Sequence, residues 1–345
     1  MVRHPDLAFL FVAVLVSAGI LAVTSHADAD LRLPAAAYNA YFPVWSPDGR
    51  YLAFTREAVD VGDSVAVVSV ESGRQRWLAA GTSASWSPDG TRIVYQGGFD
   101  ILSIGLDGTG PRQVATGGSF PLWSPDGRSV LFARSGLYVV SAVGGRALRL
   151  AADVEPGEAA WSPDGTRILF QTASGVPGAP SRITVVGRNG SGLRVLGSGE
   201  DPTFAPDGRR IAFTARDRSG AERVCLMRRD GSDVRMLTPG LGPVVSPDGK
   251  RIAFRRRGER AIWVVNRDGS DPRPVTRPPS ARDRDFGPAW SPDGRTLAFV
   301  REGRFGTARI WLVDRDGNHA RQLTSEGPPL SPVVLGQRSA AGAPR

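Results

Sequence analysis

Arginine carries most of the recognisable chemistry in this sequence. Arg255, Arg256, Arg257 and Arg260 crowd into six residues with a single acid, Glu259. A guanidinium is planar and presents its N–H donors as a fork, so such a cluster suits bidentate capture of a carboxylate or phosphate. Arg301 and Arg304 offer two more forks in a later loop. The plainer alternative is a solvated arginine-rich turn, because the chain holds 43 Lys+Arg, of which only Lys250 is lysine, against 34 Asp+Glu. Asp60, Glu158 and Asp201 are candidates for paired-acid work on a glycan, although no spacing rule separates them from their neighbours. Of three histidines only His319 lies beyond the N-terminal stretch, and Cys225 is the single cysteine. Multi-histidine and cysteine metal sites, histidine proton relays and disulfides are therefore excluded within one chain. There is no G-x-S-x-G elbow and no phosphate-loop lysine. These residues lead to the expectation of no catalytic residues, no metal and no cofactor.

The elements that position these groups come from a repeat. Trp45-Ser46-Pro47-Asp48-Gly49 recurs at 86–90, 123–127, 161–165 and 290–294, with weaker copies at 204–208 and 245–249. Proline, aspartate and glycine in that order build a tight strand-to-strand turn. The turn residues are Asp48 and Gly49, Asp89 and Gly90, Asp126 and Gly127, Asp164 and Gly165, Asp207 and Gly208, Asp248 and Gly249, and Asp293 and Gly294. Five residues after each glycine stands an aromatic, Phe54, Tyr95, Phe132, Phe170, Phe213, Phe254 or Phe299, which marks a buried second strand. A third apolar strand, a second turn such as Asp230-Gly231 or Asp268-Gly269, and a short fourth strand complete each unit. The Asp-Gly-Ser-Asp turns faintly suggest calcium loops, but they supply too few oxygen ligands, and capping of the turn by aspartate is the better reading. Seven four-stranded units of about forty residues each predict an all-β, seven-bladed propeller of antiparallel blades, with the tryptophans packed between neighbouring sheets.

These W-S-P-D-G repeats resemble the WD40-like (PD40) propeller repeats of TolB-type periplasmic proteins over about residues 41–326. No Trp-Asp dipeptide occurs, so true WD40 repeats are less similar. TolB proteins carry an α/β domain ahead of a six-bladed propeller, whereas here the repeats number seven and begin shortly after the leader. The resemblance implies an envelope location and a protein partner.

Residues 1–29 read as an export leader helix, with Arg3 and His4 ahead of the apolar run Leu7 to Val23 and small residues up to Ala29. Cleavage after Ala27 or Ala29, or retention as a membrane anchor, both place the rest outside the cytoplasm. Residues 30–40 then form a linker, 41–335 the propeller and 336–345 a disordered tail. The Ser-Pro-Asp-Gly rim is nearly constant, so the opposite rim, where loop length varies, is the expected working surface. Its loops are net acidic in the first four units and net basic in the last three. The sequence alone thus suggests an exported, monomeric, non-catalytic interaction scaffold, periplasmic or secreted, and not an enzyme. Its partner would be an acidic envelope or extracellular protein, with anionic wall polymers or lipid head groups also open and nucleic acid excluded. The rival reading is a carbohydrate-binding or glycoside-cleaving propeller using rim carboxylates.

Overall fold

Each Ser-Pro-Asp-Gly copy closes on itself through the same small set of bonds. In the computed structural model, which describes residues 38–58, 62–152, 159–172 and 181–325, the serine hydroxyl donates to the aspartate Oδ1 at 2.6 Å in all six copies that have serine. That carboxylate accepts the amide two residues on, at 3.0 Å for Arg50 and Thr166. The hydroxyl in turn accepts the amide five residues on, at 2.9 Å for Tyr51 and Arg167. The turn glycines sit at φ of 64–72°, open to glycine without steric cost. A side chain on Gly49 would lie 3.6 Å from Pro292 of the last blade. The corners therefore stack around the ring.

The serine hydrogen bond is the leading cause that holds the Asp89, Asp126, Asp164 and Asp293 carboxyls below the ordinary aspartate value, Asp164 at about 2. A carboxylate whose folded pKa is depressed stabilises the fold above its unfolded pKa, roughly 4, and that contribution is lost as pH falls through the folded value. Melting temperature is thus expected to fall steadily from about pH 5 to about pH 2, and Asp164→Asn to flatten part of that slope. A titration by circular dichroism checks it.

Seven separate four-stranded antiparallel sheets follow, each drawn from one continuous stretch: 39–80, 82–115, 119–152, 159–198, 200–239, 241–274 and 284–322. We number them blades 1 to 7. At six of the seven junctions, that of blades 7 and 1 included, the first strands of successive blades touch one another, which makes them the innermost layer. Phe54, Tyr95, Phe132, Phe170, Phe213, Phe254 and Phe299 are all buried on second strands. Apolar side chains collect into seven clusters, one at every blade–blade interface, the seventh joining Leu52 and Phe54 of blade 1 to Ala298 and Ile310 of blade 7. Burial of one such phenylalanine is worth up to about 3 kcal/mol relative to exposure, so the interfaces rather than single sheets hold the ring together.

The tryptophans do more than fill space. Trp45, Trp86, Trp161 and Trp290 each donate the indole N–H to a backbone carbonyl of the preceding blade, those of Ala289, Val44, Leu122 and Val244, at 3.0–3.3 Å. Trp123 Nε1 is buried without such a partner. Trp86→Phe is therefore expected to cost about 1 kcal/mol more than Trp123→Phe, since only the former strips a buried carbonyl of its donor. Urea denaturation of the two variants reads the difference.

Between blades 7 and 1 the seam carries no shared strand among the described residues. It is closed by the Trp45 bond, by the Ala308 amide donating to Asn39 Oδ1 at 2.8 Å, by the Tyr38 hydroxyl donating to the Ser325 carbonyl at 3.1 Å and by Arg321 donating to the Val70 carbonyl at 2.7 Å. The first strand begins at Asn39, inside the stretch read as linker, and the last ends at Gln322. The leader 1–29 and the tail 336–345 lie outside the described residues.

Candidate active site at the variable rim

The innermost strands share an irregularity that the repeat motif does not announce. Where the first strand of a blade pairs with the second, one extra residue bulges out, between Tyr41 and Val44 in blade 1 and between Glu200 and Thr203 in blade 5, for example. The bulged residue stands three positions before the tryptophan position and takes left-handed backbone: Phe42 (φ 56°), Ser83 (57°), Phe120 (51°), Asp201 (52°), Gly242 (62°) and Gly287 (60°). Glycine adopts this freely; phenylalanine and aspartate do so at a cost. Strain of this kind persists where the surroundings over-determine it. The signal was in the sequence, since five of the six precede Pro or stand in its place as Gly-Pro or Phe-Pro steps: Phe42, Phe120, Asp201, Gly242 and Gly287.

Around this mouth on the variable rim, blades 5, 6, 7 and 1 present three kinds of group. Blade 5 supplies acids. Asp201 Oδ2 accepts from the Thr214 hydroxyl at 2.9 Å and from the Gly242 amide at 3.2 Å, stitching blade 5 to blade 6. Beside it Glu200 is held above the ordinary glutamate value, first by burial, with Arg216 pulling it down and Asp201 and Glu222 pushing it up. Glu222 is nearly enclosed and pairs with Arg216 at 3.4 Å and with Arg257. Blades 6 and 7 supply cations. Arg284 grips Glu302 at 2.7 and 3.0 Å and lies 5.7 Å from the centre of the Phe286 ring. Blades 7 and 1 supply aromatics: Tyr41 lies 6.2 Å from Phe42 and 6.4 Å from Phe286, ring centre to centre. Phe42 is 64% exposed. The Tyr41 hydroxyl is pushed up to about 12, chiefly by burial and then by Glu57 and Glu302.

Arg255 is the exception in this set. It is half-buried at the end of a second strand, and among the described residues its side chain has no hydrogen bond and no ion pair within 4.0 Å. Burial lowers its pKa, the Asp201 charge offsets this, and Arg284 lowers it further. With burial as the leading cause, the Asp201 and Glu222 charges do not make up for the solvent it has lost, and a ligand anion in direct contact would.

The other sequence candidates are placed differently. Arg256 lies over the Trp263 ring at 3.5 Å, Arg257 reaches across to Glu222, and Arg260 is exposed, so the cluster does not converge on one ligand. The reason is local: the strand ends at Arg255 and the chain turns at Arg257 and Gly258, so the side chains leave in different directions. Arg301 is buried and bound to Asp285 by two bonds of 2.7 and 2.8 Å, and packs 4.5 Å from the Trp311 ring centre. Arg304 is exposed on the short 3-10 turn Arg304–Gly306. Asp60 and Glu158 lie outside the described residues. His319 is exposed and bonds Asp314 at 2.7 Å, and Cys225 is buried. In the Asp230 and Asp268 turns the carboxylate accepts from Ser232 and Ser270 at 2.6 Å, which is turn capping. Among the described residues no group of three or more His, Cys, Asp or Glu side chains could hold a metal ion.

No family model matches the chain. In sequence it is similar to the uncharacterized peptidase YuxL of Bacillus subtilis, 27% identical over 219 residues, a match taking in 46% of this chain and 31% of that protein. The chain thus covers about a third of the curated relative's length. In structure it is similar to oligogalacturonate lyase from Vibrio parahaemolyticus, at TM-score 0.67 and 14% identity over 80% of this chain and 90% of that one. It is also similar to a puromycin-hydrolyzing peptidase of Mycobacterium tuberculosis, at TM-score 0.66 and 15% identity over 87% and 55%. TolB from Acinetobacter baumannii aligns at TM-score 0.50 and 18% identity over 81% of each chain, in keeping with a TolB-like propeller fold. The expectation of a non-catalytic scaffold that is not an enzyme is corrected here: the relative in sequence is a peptidase, and the structural neighbours include a lyase and a peptidase. A repeat motif reports the frame and is silent on the chemistry at its mouth.

Proposed function

We propose that the protein is an enzyme that works at the mouth formed by blades 5, 6, 7 and 1 on a saccharide bearing carboxylates. The observation that carries this is Arg255, a partly desolvated guanidinium without a bound partner, set between an acidic sector and an exposed aromatic one. Arg255 fixes a substrate carboxylate as a fork and, by neutralising it, makes the neighbouring C–H more acidic. Glu200, held above the ordinary glutamate value, accepts that proton as general base; the C–H electron pair forms a C=C bond as the glycosidic C–O bond on the adjacent carbon breaks, and the departing oxygen takes a proton from water. Phe42 and Phe286 offer apolar faces for a sugar ring. The structural likeness to an oligogalacturonate lyase, 90% of whose chain is matched, is consistent with a propeller of this size serving by itself as an enzyme. The leader pattern of Arg3 followed by Leu7 to Val23 supports work outside the cytoplasm.

A second reading follows from the sequence relative: the propeller admits peptides for a peptidase, and Arg255 then meets a peptide carboxylate. One substrate panel separates the two. Oligouronides, neutral oligosaccharides and chromogenic aminoacyl amides are incubated with the protein across pH. The first reading expects unsaturated products from the oligouronides alone, with turnover rising through a pKa above the ordinary glutamate value as Glu200 loses its proton. Amide cleavage without uronide turnover favours the second, and inertness towards every substrate defeats both.

A further inference from the structure

On the opposite rim, a depression of about 340 Å³ between blades 4 and 5 is lined by Arg167, Arg194, Arg209, Arg228, Arg229 and Asp230. It adjoins a groove of about 750 Å³ along the Arg188–Gly192 turn, and Arg167 and Arg194 line both. The lone acid is already committed, since Asp230 accepts from the amide and hydroxyl of Ser232 at 3.0 and 2.6 Å. Arg228 approaches Asp233 at 3.6 Å. Among the described residues the side chains of Arg167, Arg194, Arg209 and Arg229 have no ion pair within 4.0 Å and no hydrogen bond.

Repetition supplies an internal control. At the position of Arg167, Arg92 of blade 2 bonds the Ser103 and Gly110 carbonyls at 3.2 and 2.7 Å, and Arg251 of blade 6 bonds Asp316 at 3.0 Å. At the position of Arg229, Arg188 reaches the preceding blade's turn aspartate, Asp126, at 2.8 Å, and Arg267 reaches Asp207 at 4.0 Å. At the position of Arg194, Arg235 holds Asp233 at 3.0 Å and Arg273 holds Asp271 at 3.2 Å. Only the last of these acids, at the position of Asp233 and Asp271, is missing in blade 4: Asp164 stands at the position of Asp126 and Asp207 and feels the charge of Arg229, and Asp230 of blade 5 stands at the position of Asp316. The blade 4 turn reads Asn189-Gly190-Ser191-Gly192-Leu193-Arg194, against Asp230-Gly231-Ser232-Asp233-Val234-Arg235 in blade 5. Arg167, Arg194 and Arg229 thus line one depression without the hydrogen bonds and ion pairs within 4.0 Å that engage these positions elsewhere, Asp164 acting on Arg229 through charge alone. Holding like charges together costs stability, and a polyanion offsets the cost.

We propose that this depression binds an oligophosphate, a chain of two or more phosphate groups, gripped by the forks of Arg167, Arg194 and Arg229. Planar guanidinium forks match phosphate oxygens, and several forks at once favour a ligand with several charged groups over a single ion. The site lies on the constant rim and does not depend on the activity assigned to the mouth.

The test titrates tripolyphosphate into the full chain by calorimetry at roughly physiological ionic strength, about 0.15 M. Saturable binding at one site is expected, weakened about tenfold or more in Arg167→Gln/Arg229→Gln. Gly192→Asp, which restores the repeat's own acid and removes no arginine, is expected to weaken it similarly. Gly192 has φ 65°, near the 54° of Asp233 and 52° of Asp271 at the equivalent positions, so the backbone accepts aspartate there. Arg255→Gln, on the other rim, is expected to leave binding unchanged. Absence of saturable binding overturns the proposal, as does equal affinity in the wild type and both site variants, or a loss that follows Arg255 instead. Unliganded melting temperature reports on folding: both site variants should melt at or above the wild type, and a marked fall would reveal a structural role for these arginines and count against the site.

Discussion

Replacing Arg255 by glutamine is expected to lower kcat/KM towards an anionic saccharide by roughly a hundredfold, while leaving the melting temperature unchanged or raised. The two halves have one cause. A guanidinium partly withdrawn from water and without an ion pair within 4.0 Å destabilises the unliganded fold, because burial outweighs the favourable charges of Asp201 and Glu222. The same group gains most when a substrate carboxylate arrives, because it has little bound solvent left to shed and no internal partner to abandon. A structural arginine behaves the opposite way, since removing it lowers stability. Steady-state kinetics and thermal denaturation of Arg255→Gln, run together, therefore distinguish a binding cation from a packing one. Loss of activity accompanied by a large drop in melting temperature would falsify the assignment.

Asp285→Ala is expected to destabilise the protein by about 3–5 kcal/mol, the larger of the two stability effects anticipated at this rim. The side chain of Asp285 is 0% exposed and that of Arg301 9%, and their two bonds are 2.7 and 2.8 Å. Truncating the acid strands a buried cation. The double variant Asp285→Leu/Arg301→Met removes both charges, keeps volume against Trp311 and Phe299, and should recover most of the loss. Denaturant unfolding of Asp285→Leu, Arg301→Met and the double variant closes the cycle, with Asp285→Ala measured alongside. Equal destabilisation by Asp285→Ala and by the double variant would show that the pair contributes through packing alone.

Arg301 also shows why the frame was easier to read than the site. The Ser-Pro-Asp-Gly corners, the aromatic five residues later and the third and fourth strands are all local, fixed by turn chemistry and two-residue alternation, and they locate every blade. An arginine's role is decided by what lies across a strand or across a blade. Asp285, sixteen residues before Arg301, is its cross-strand neighbour. Glu222, thirty-five residues before Arg257, belongs to the blade beside it. No short window contains such pairs, so Arg255, Arg256, Arg257 and Arg301 look alike in sequence and differ wholly in space. The aromatic sector was missed for a related reason: Tyr41, Phe42 and Phe286 come from opposite ends of the chain and meet only once the ring has closed. The missing partner of Arg194 was legible in principle, through Gly192 standing where blades 5 and 6 carry Asp233 and Asp271, but only by comparing repeats for what one of them lacks.

Because, among the described residues, every sheet is built from one uninterrupted length of chain and the junction of the seventh with the first is held by packing and a few hydrogen bonds, the order in which the blades are strung is a matter of connectivity rather than architecture. Tyr38 and Ser325 already touch. A circular permutant that joins them through a short linker and opens the chain before Leu241 would start on a different blade and still assemble the same wheel. Strand exchange at the closure would forbid this, since relocating the termini would then tear a sheet in two. By the same logic, whole blades could be gained or lost in evolution as single cassettes.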